Sequence, residues 1–418
     1  MLGFIRQKND LLPENLKIIT SNFSWLFFLR VLQKSLSLVS MYFVIRAIDQ
    51  EMYGQYQFII SVIAVLSVFT LSETNNAIIQ SVARGHLGIF RKMIPYVFFS
   101  SVLGSLVLFG VAVWYEFEKN NHHMAIGFLI SSVFFPFAKG LTQWSAFKQG
   151  SRKFSSLVRW DGGVAILLQV TVVVGVIFVP ATFLVPLVCI LLVPAIQNIY
   201  LTWHTYKLVD PGASIENGIF SYGIRSSFIK LPVILSMYSE KILLFVFLSP
   251  ETLALFVVAE KIPDLFKNLV QDISAALAPH FALYDRYTVS LSKYFKWFSA
   301  TMVFLILFVA FVLLPKFFVP LFGEVYRDAI PYAIALMCSV AIGTIATIRA
   351  RFIRSQLDSI SLREIDFSMA IVRILSAAVL VPLFGLTGAV LSVFITRLFA
   401  LLIVRIIMRK RYSLEGEI

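Results

Sequence analysis

Charged residues are scarce in this 418-residue chain, at 14% of the sequence, while 59% of the residues are hydrophobic. Globular proteins average about 25% charged and at most about 50% apolar residues. A soluble protein this apolar could not cover its surface with polar groups. The composition therefore excludes an ordinary soluble domain and predicts an integral membrane protein.

Residues that support catalysis or cofactor binding are also few. The only cysteines, Cys189 and Cys338, lie inside apolar runs, which argues against a structural disulfide and redox chemistry. The sequence contains no G-x-x-x-x-G-K-[ST] nucleotide-binding loop, no Cys/His metal cluster and no Ser/His/Asp arrangement. We therefore predict a protein that is not an enzyme and that needs no cofactor or metal.

The net charge of +13 would suggest a nucleic-acid partner in a soluble protein. Here the basic residues are spread over short connections between apolar runs, which is typical of the positive-inside bias of membrane proteins. We expect no nucleic-acid partner. The first twenty residues contain charges and Pro13 but no short apolar core, so no cleaved signal peptide is expected.

Apolar runs long enough to cross a bilayer, about 17–25 residues each, recur along the whole chain. They lie at 24–45, 55–80, 93–115, 124–147, 161–180, 182–203, 221–248, 252–281, 297–315, 329–348, 366–384 and 386–404. We number them as spans 1 to 12. All connections between them are short, so no soluble domain is predicted.

The orientation follows from the positions of lysine and arginine. Among the connections on one side, only Arg46, Lys119, Lys316 and Arg327 are basic, whereas the termini and the connections on the other side hold most of the 36 basic residues. Both termini are therefore predicted to be cytoplasmic.

The two halves of the chain resemble each other at an offset of 200 residues. This offset places Glu51 on Glu251 and the basic Arg30 on the basic Lys230. Each half contains six spans, so both copies point the same way, as in parallel-repeat transporters. We predict two six-helix bundles, at 1–205 and 206–418.

Ionisable residues inside spans cost at least about 2.5 kcal/mol each at mid-helix and usually face a cavity. They concentrate in spans 1, 2, 7 and 8. At 100° per residue, the polar residues of span 8 fall within an arc of roughly 140°. These residues are Glu260, Lys261, Asp264, Lys267, Asn268, Gln271 and Asp272.

Two interpretations of these charges remain open. Lys241 lies level with Glu260, Glu240 with Lys261, and Arg30 with Glu73, so the pairs could simply hold helices together. Counted together, the four spans contain seven cations and five anions, and the positive excess would suit a pyrophosphate diester. The cations are Arg30, Lys34, Arg225, Lys230, Lys241, Lys261 and Lys267, and the anions are Glu73, Glu240, Glu260, Asp264 and Asp272.

Other candidate residues carry weaker signals. His122, His123 and His280 are expected to be solvated or interfacial. Arg373 and Arg397, in spans 11 and 12, are expected to snorkel to the membrane surface or to contact lipid headgroups.

Residues 28–85 carry a family resemblance. They contain a basic residue in span 1, a helix end at Ile45, the turn QEMYG at 50–54, and a helix that ends in NAII at 76–79. This pattern resembles the start of bacterial polysaccharide repeat-unit flippases of the Wzx type, in the multidrug/oligosaccharidyl-lipid/polysaccharide exporter superfamily. Twelve spans in two halves with cytoplasmic termini match that family along the whole chain.

The resemblance implies an all-α integral membrane protein with a MATE-like exporter fold of two parallel-repeat six-helix bundles. It implies an alternating-access flippase in the bacterial inner membrane that moves an undecaprenyl-pyrophosphate-linked oligosaccharide, such as an O-antigen unit for lipopolysaccharide biosynthesis. Membrane lipids, a polysaccharide polymerase and chain-length proteins would be its partners. The implied substrate-binding residues are Arg30, Lys34, Arg225, Lys230 and Lys267.

The acidic residues of the spans leave alternatives open. Glu73, Glu260, Asp264 or Asp272 could belong to ion coupling. In an ion-coupled multidrug exporter of the same superfamily they would bind H⁺ or Na⁺ and a cationic drug. A membrane enzyme acting on lipid-linked glycans is a third alternative, and the short connections argue against it.

Overall fold

The computed structural model describes residues 32–179, 182–276, 289–356 and 358–412, with side chains throughout except at 276, 289–294 and 359. Within these ranges every regular element is a helix, so the predicted all-α class is confirmed. The residues Arg30 and His280, which the sequence singled out, lie outside the described part of the chain.

The chain divides into two compact units. Unit 1 comprises Met1–Ala47 and Phe69–Phe228, and unit 2 comprises Ile48–Val68 and Ile229–Ile418. The predicted bundles at 1–205 and 206–418 remain a prediction of the sequence.

The described helices of unit 1 are α1, α3 to α8 and α9. Helix α1 covers 32–47, α3 Thr74–Ala83, α4 Ile89–Phe117, α5 His122–Phe135, α6 Gln143–Gly150, α7 Phe154–Phe178, α8 Leu184–Leu208 and α9 Ile219–Ile229. A π-helical turn, Pro136–Gly140, follows α5. The Asn198 side chain braces this turn, because its amide donates to the Ala138 carbonyl at 3.0 Å and its carbonyl accepts from Trp144 at 2.9 Å.

The described helices of unit 2 begin with α2. Helix α2 covers Gln50–Leu66, α10 Leu231–Phe247, α11 Pro250–Ala276, α12 Val289–Phe308, α13 Leu314–Phe322 and α14 Ile330–Ser355. The run Ser359–Arg411 is broken at Gly385, where φ is 60° and ψ is −133°. We name its two parts α15 and α16, and the break coincides with the predicted boundary between spans 11 and 12.

Helices α15 and α16 form an antiparallel hairpin. Asp358, before α15, accepts a hydrogen bond from Arg411 at 3.2 Å and another from Tyr412 at 3.1 Å, both at the end of α16. Although desolvation acts to raise it, hydrogen bonds from Ser361 and Tyr412 and the charge of Arg411 lower the pKa of Asp358 to about 2. The open end of the hairpin is therefore closed by an ionised carboxylate at neutral pH.

Eight helical stretches among the described residues are long and apolar enough to cross a membrane, by length and composition. They are Gln50–Thr70, Ile89–Phe117, His122–Gly150, Phe154–Phe178, Leu184–Leu208, Phe295–Phe322, Glu324–Ser355 and Ile360–Arg411. The last of them contains the break at Gly385. A multi-pass membrane protein is thus confirmed, and the count of twelve spans remains a prediction.

Three predicted spans are not continuous helices. Span 4 is interrupted at Leu141 and Thr142, between the π-helical turn and α6.

Span 2 breaks after Leu66, passes through the 3₁₀ turn Ser67–Thr70 and resumes at Thr74. The Ser67 hydroxyl donates to the Ala64 carbonyl and the Thr74 hydroxyl to the Leu71 carbonyl, and such local bonds compete with helical ones.

Span 7 breaks at Lys230, between α9 and α10. Pro232 follows at the second position of α10, where its missing N–H leaves no helical bond unmade.

Helix α2 crosses α11 at very short range within unit 2. The Gln50 side-chain amide donates to the Glu251 carbonyl at 3.1 Å. A Cβ atom built on Gly54 would lie 1.9 Å from the Pro250 carbonyl oxygen. Only glycine permits this approach, because the opposing atom belongs to the backbone and cannot rotate away.

We expect Gly54→Ala to lower the free energy of unfolding by about 1–3 kcal/mol, the usual cost of overpacking. Gly110→Ala, inside α4, is the matched control, since no atom lies within 4 Å of a Cβ built there. That control should be neutral or should stabilise by up to about 1 kcal/mol, because alanine favours the helix. Thermal unfolding of both variants in detergent checks this, and an equal response of the two would contradict the close crossing.

Candidate functional site

Three cavities lie inside unit 2, among α10, α11, α14, α15 and α16. Cavity A has a volume of about 120 Å³ and is lined by Lys241, Glu260, Asp264, Lys267, Arg373 and Arg397. Cavity B, also about 120 Å³, is lined by Ser236, Asp366, Arg373, Thr396 and Arg397 among others. Cavity C, about 250 Å³, is lined by Gln271, Thr347, Arg351, Arg354, Asp366 and Arg397 among others. Arg397 borders all three.

The most deeply buried carboxylate of the site is Glu240 on α10, which has no exposed surface. Its Oε1 accepts from Nε of Arg373, on α15, at 2.8 Å. The hydroxyls of Ser392 and Ser239 each donate to the same carboxylate at 3.3 Å. Burial of a charge is expensive unless it is paired and hydrogen-bonded, and Glu240 meets both conditions.

Two further acids of the site are each held by a lysine. Lys241 lies 2.8 Å from Glu260, with 17% and 14% of the two side chains exposed. Lys267 bonds to Asp264 one turn before it on α11. The predicted pairing of Lys241 with Glu260 is confirmed.

The predicted pairing of Glu240 with Lys261 is wrong, because Glu240 pairs with Arg373 instead. Similar depth in the membrane relates residues of α10 and α11, which are adjacent in the chain, but says nothing of other helices. The actual partner comes from α15, 133 residues along the chain.

Arg397, on α16, differs from these cations. It makes no hydrogen bond or ion pair with any residue in the described part of the chain. Its stem passes directly over Gly343 of α14, where a built Cβ would lie 2.8 Å from the arginine Cδ. The expectation that Arg373 snorkels or contacts lipid headgroups is therefore wrong, since it contacts a buried carboxylate. For Arg397, which borders the cavities, the same expectation stays a prediction.

The substrate-binding residues predicted from the resemblance fall in both units. Lys34 is half-buried on α1, and Arg225 is exposed on α9, both in unit 1. Lys230 is exposed at the junction of α9 and α10, and Lys267 lines cavity A, both in unit 2. Arg30 lies outside the described residues, so its predicted pairing with Glu73 remains a prediction.

The predicted ion-coupling residues are placed as follows. Glu260 and Asp264 line cavity A, Asp272 is half-buried further along α11, and Glu73 accepts from the Asn76 amide at 2.8 Å. Among the described residues, no group of three or more His, Cys, Asp and Glu could hold a metal ion.

The sequence interpretation missed Arg397, Arg373, Arg351 and Arg354 as cavity residues. A signal existed for the first two, because an arginine in the middle of an apolar span is costly and usually faces the protein interior. Arg351 and Arg354 follow predicted span 10, which ends at 348. Helix α14 continues past that point to Ser355 and places them on the wall of cavity C.

Comparisons with known proteins bear on the family and the fold. The sequence profile of a family described as polysaccharide biosynthesis protein matches residues 19–284. No curated protein sequence shows a significant match.

Several solved structures share the fold. An inward-facing multidrug resistance MATE family transporter of the MOP superfamily aligns with a TM-score of 0.70 and 12% identity, over 91% of this chain and 94% of that one. The lipid II flippase MurJ in an inward closed conformation aligns with a TM-score of 0.65 and 12% identity, over 93% of this chain and 87% of that one. A MOP superfamily transporter from Pyrococcus furiosus aligns with a TM-score of 0.61 and 12% identity, over 93% of this chain and 95% of that one. At these identities the likeness establishes the fold, and it confirms the predicted MATE-like architecture.

Proposed function

Because this chain belongs to the polysaccharide biosynthesis protein family, we propose that it is a flippase for a lipid-linked oligosaccharide. Its substrate is an undecaprenyl-pyrophosphate-linked glycan, such as an O-antigen repeat unit. Alternating access carries that substrate from the cytoplasmic to the periplasmic leaflet of the bacterial inner membrane, and both termini of the chain are cytoplasmic. The protein moves this substrate without chemical change. The lipid II flippase among its structural neighbours supports a lipid-linked cargo.

The observation that carries the proposal is the charge of the cavities in unit 2. Their cations outnumber the acids that line or bond them, six to four. The cations are Lys241, Lys267, Arg351, Arg354, Arg373 and Arg397, and the acids are Glu240, Glu260, Asp264 and Asp366. A pyrophosphate diester carries about two negative charges and accepts hydrogen bonds from both lysine and arginine. An excess of cations in a membrane unit favours such an anionic cargo over a cationic one.

We assign the substrate contacts to Arg30, Lys34, Arg225, Lys230 and Lys267, the residues that the family resemblance implies. Among the acids we propose Glu73 and Asp272 as alternatives to Glu260 and Asp264 for ion coupling. Membrane lipids surround the substrate path, and the polysaccharide polymerase and chain-length proteins would receive the product.

The second candidate function is ion-coupled multidrug export, which the MATE transporters among the structural neighbours favour. That function needs an acid free to bind H⁺, Na⁺ or a cationic drug. Glu240, Glu260 and Asp264 are each bonded to a cation of the protein. These pairs support the flippase over the exporter.

Reconstitution into vesicles tests the function directly. The purified protein should accelerate the movement of undecaprenyl-pyrophosphate-linked oligosaccharide between leaflets, measured by the access of a glycan-modifying enzyme added outside. Vesicles without the protein are the control. Export of a cationic dye without movement of the lipid-linked glycan would support the multidrug exporter and refute the flippase.

We expect Lys34→Glu to abolish glycan translocation while the protein still inserts and accumulates. A glutamate would repel the pyrophosphate in a partly desolvated site, where the effective dielectric constant is well below that of water. Lys34→Arg, the matched control, should keep most activity because the charge is kept. Glycan export and membrane abundance measure the two effects. Full export by Lys34→Glu would remove Lys34 from the substrate contacts.

A further inference from the structure

Arg397 is a half-buried cation that makes no hydrogen bond or ion pair with any described residue, although the carboxylates of Glu240, Glu260 and Asp264 lie close enough to attract it. The side chain borders cavities A, B and C, which all lie within unit 2. Ionisable residues inside membrane spans usually face the protein interior or a water-filled cavity, where they mark the pathways of substrates and ions. An anion bound in one of these cavities would neutralise the guanidinium.

The nearby acids Glu240, Glu260 and Asp264 form ion pairs with other cations. Glu240 bonds to Arg373, Glu260 to Lys241 and Asp264 to Lys267. Asp366 shares the walls of cavities B and C with Arg397, yet it accepts no hydrogen bond from it. The donors of the Arg397 guanidinium are therefore available to an anion in the cavities that it borders.

Gly343 fixes where the guanidinium points. The Arg397 stem lies against this glycine, and a built Cβ would come within 2.8 Å of Cδ and 3.4 Å of Nε. A side chain at position 343 would push the arginine away from its present position. The glycine thus acts as a positioning residue for the cation.

Cavity C has the size and the charge for a ligand. A cavity of about 10–15 Å³ holds one water molecule, whereas cavity C measures about 250 Å³. Arg351, Arg354 and Arg397 line it together with the single acid Asp366. Guanidinium groups present a planar fork of donors that matches phosphate oxygens in a bidentate manner.

We propose that cavity C is a binding subsite for a phosphate ester anion, with Arg397 as its central ligand and Arg351 and Arg354 as flanking ligands. This subsite deepens the proposed flippase function and rests on it. Two sources could supply the chemistry, the pyrophosphate of the lipid-linked glycan or the headgroup of an anionic phospholipid. None of the three arginines is among the residues that the family resemblance implied.

Binding of inorganic pyrophosphate to the purified full chain, measured by isothermal titration calorimetry, tests the subsite. Arg397→Gln should weaken binding by about tenfold or more, because a charge-assisted hydrogen bond is lost. Gly343→Ala should weaken it in the same direction by displacing the guanidinium. Arg327→Gln is the matched control, since Arg327 is exposed and pairs with Glu324, and it should leave the affinity unchanged.

Thermal unfolding separates a ligand site from a structural role. Without ligand, Arg397→Gln should be about as stable as the natural protein, because the cation it removes makes no hydrogen bond or ion pair with a described residue. Added pyrophosphate should raise the Tm of the natural protein and not that of the variant. Destabilisation of the ligand-free variant, with pyrophosphate affinity unchanged, would overturn the subsite, as would a natural protein that binds no pyrophosphate.

Competition identifies the source of the anion. Undecaprenyl pyrophosphate and short-chain phosphatidylglycerol are each added against bound pyrophosphate, and displacement by either one assigns that source. Displacement by neither overturns the proposal. Loss of pyrophosphate binding in Arg397→Gln supports the subsite even if the vesicle assay shows no glycan movement, in which case only the flippase function fails. If the natural protein moves the glycan but Arg397→Gln binds pyrophosphate as well as the natural protein does, the subsite fails and the flippase function stands.

Discussion

Arg373→Ala is expected to destabilise the protein by about 3–5 kcal/mol, because it would leave a buried carboxylate without its cation. Glu240 has no exposed surface, and its Oε1 lies 2.8 Å from Nε of Arg373. The two serine hydroxyls at 3.3 Å are neutral donors and cannot replace a charge. Thermal unfolding of the detergent-solubilised variant, followed by tryptophan fluorescence, measures the loss.

A double variant distinguishes a stranded charge from lost packing. Glu240→Leu combined with Arg373→Met removes both charges and keeps much of the volume, so its stability should return close to that of the natural protein. Arg327→Ala is the matched control for a surface pair, because Arg327 and Glu324 are 65% and 66% exposed at 2.7 Å. Its effect should stay below about 1 kcal/mol. A double variant as unstable as Arg373→Ala alone would show that the ion pair is not the cause.

Helix class and approximate span positions follow from the sequence because bilayer thickness sets one simple rule, a run of apolar residues of spanning length. The boundary between spans 11 and 12 was predictable at Gly385, where the structure has a positive φ. The polar face of span 8 was likewise visible, and Glu260, Asp264 and Lys267 on it line one cavity. The helical period of the polar residues and the length of each apolar run are local properties of the sequence, so they predict these features without tertiary information.

The break in span 2 was not predictable by the same rule. The sequence between Leu66 and Thr74 contains no proline or glycine, yet Leu71 adopts a positive φ of 47° at the interruption. The hydroxyl bonds of Ser67 and Thr74 lie on either side of it, and bonds of this kind also occur in unbroken helices. Assignment of Gln50–Leu66 to unit 2 depends on tertiary packing such as the stacked rings of Phe58 and Phe245.

The cavity residues show where sequence reasoning about the site stops. Pairing by depth works between helices joined by a tight turn, as Lys241 and Glu260 demonstrate. It fails for Glu240, because span depth does not say which distant helix packs alongside. The expectation that Arg373 lies at the membrane surface had the same weakness, because an arginine inside an apolar run can equally pair with a buried carboxylate.

Glu260 is one of the residues proposed for ion coupling, and its pairing with Lys241 allows that role to be tested. Its carboxylate lies 2.8 Å from Lys241 at the wall of cavity A. A structural pair only holds α10 and α11 together, whereas an ion-coupling Glu260 binds and releases the ion during transport. A charge exchange between the two positions distinguishes these roles.

We expect Lys241→Glu alone to destabilise the protein by at least about 3–5 kcal/mol, because it removes the cation and adds a second acid at the same place. The exchange variant, Lys241→Glu with Glu260→Lys, restores one charge of each sign at this contact. The neighbouring cations Arg373 and Lys267 keep partners of their own. Both the Tm in detergent and glycan movement in vesicles should therefore recover in the exchange variant. Recovery of the Tm without recovery of glycan movement would mean that a carboxylate is needed at position 260 itself, and Glu260 would then belong to ion coupling.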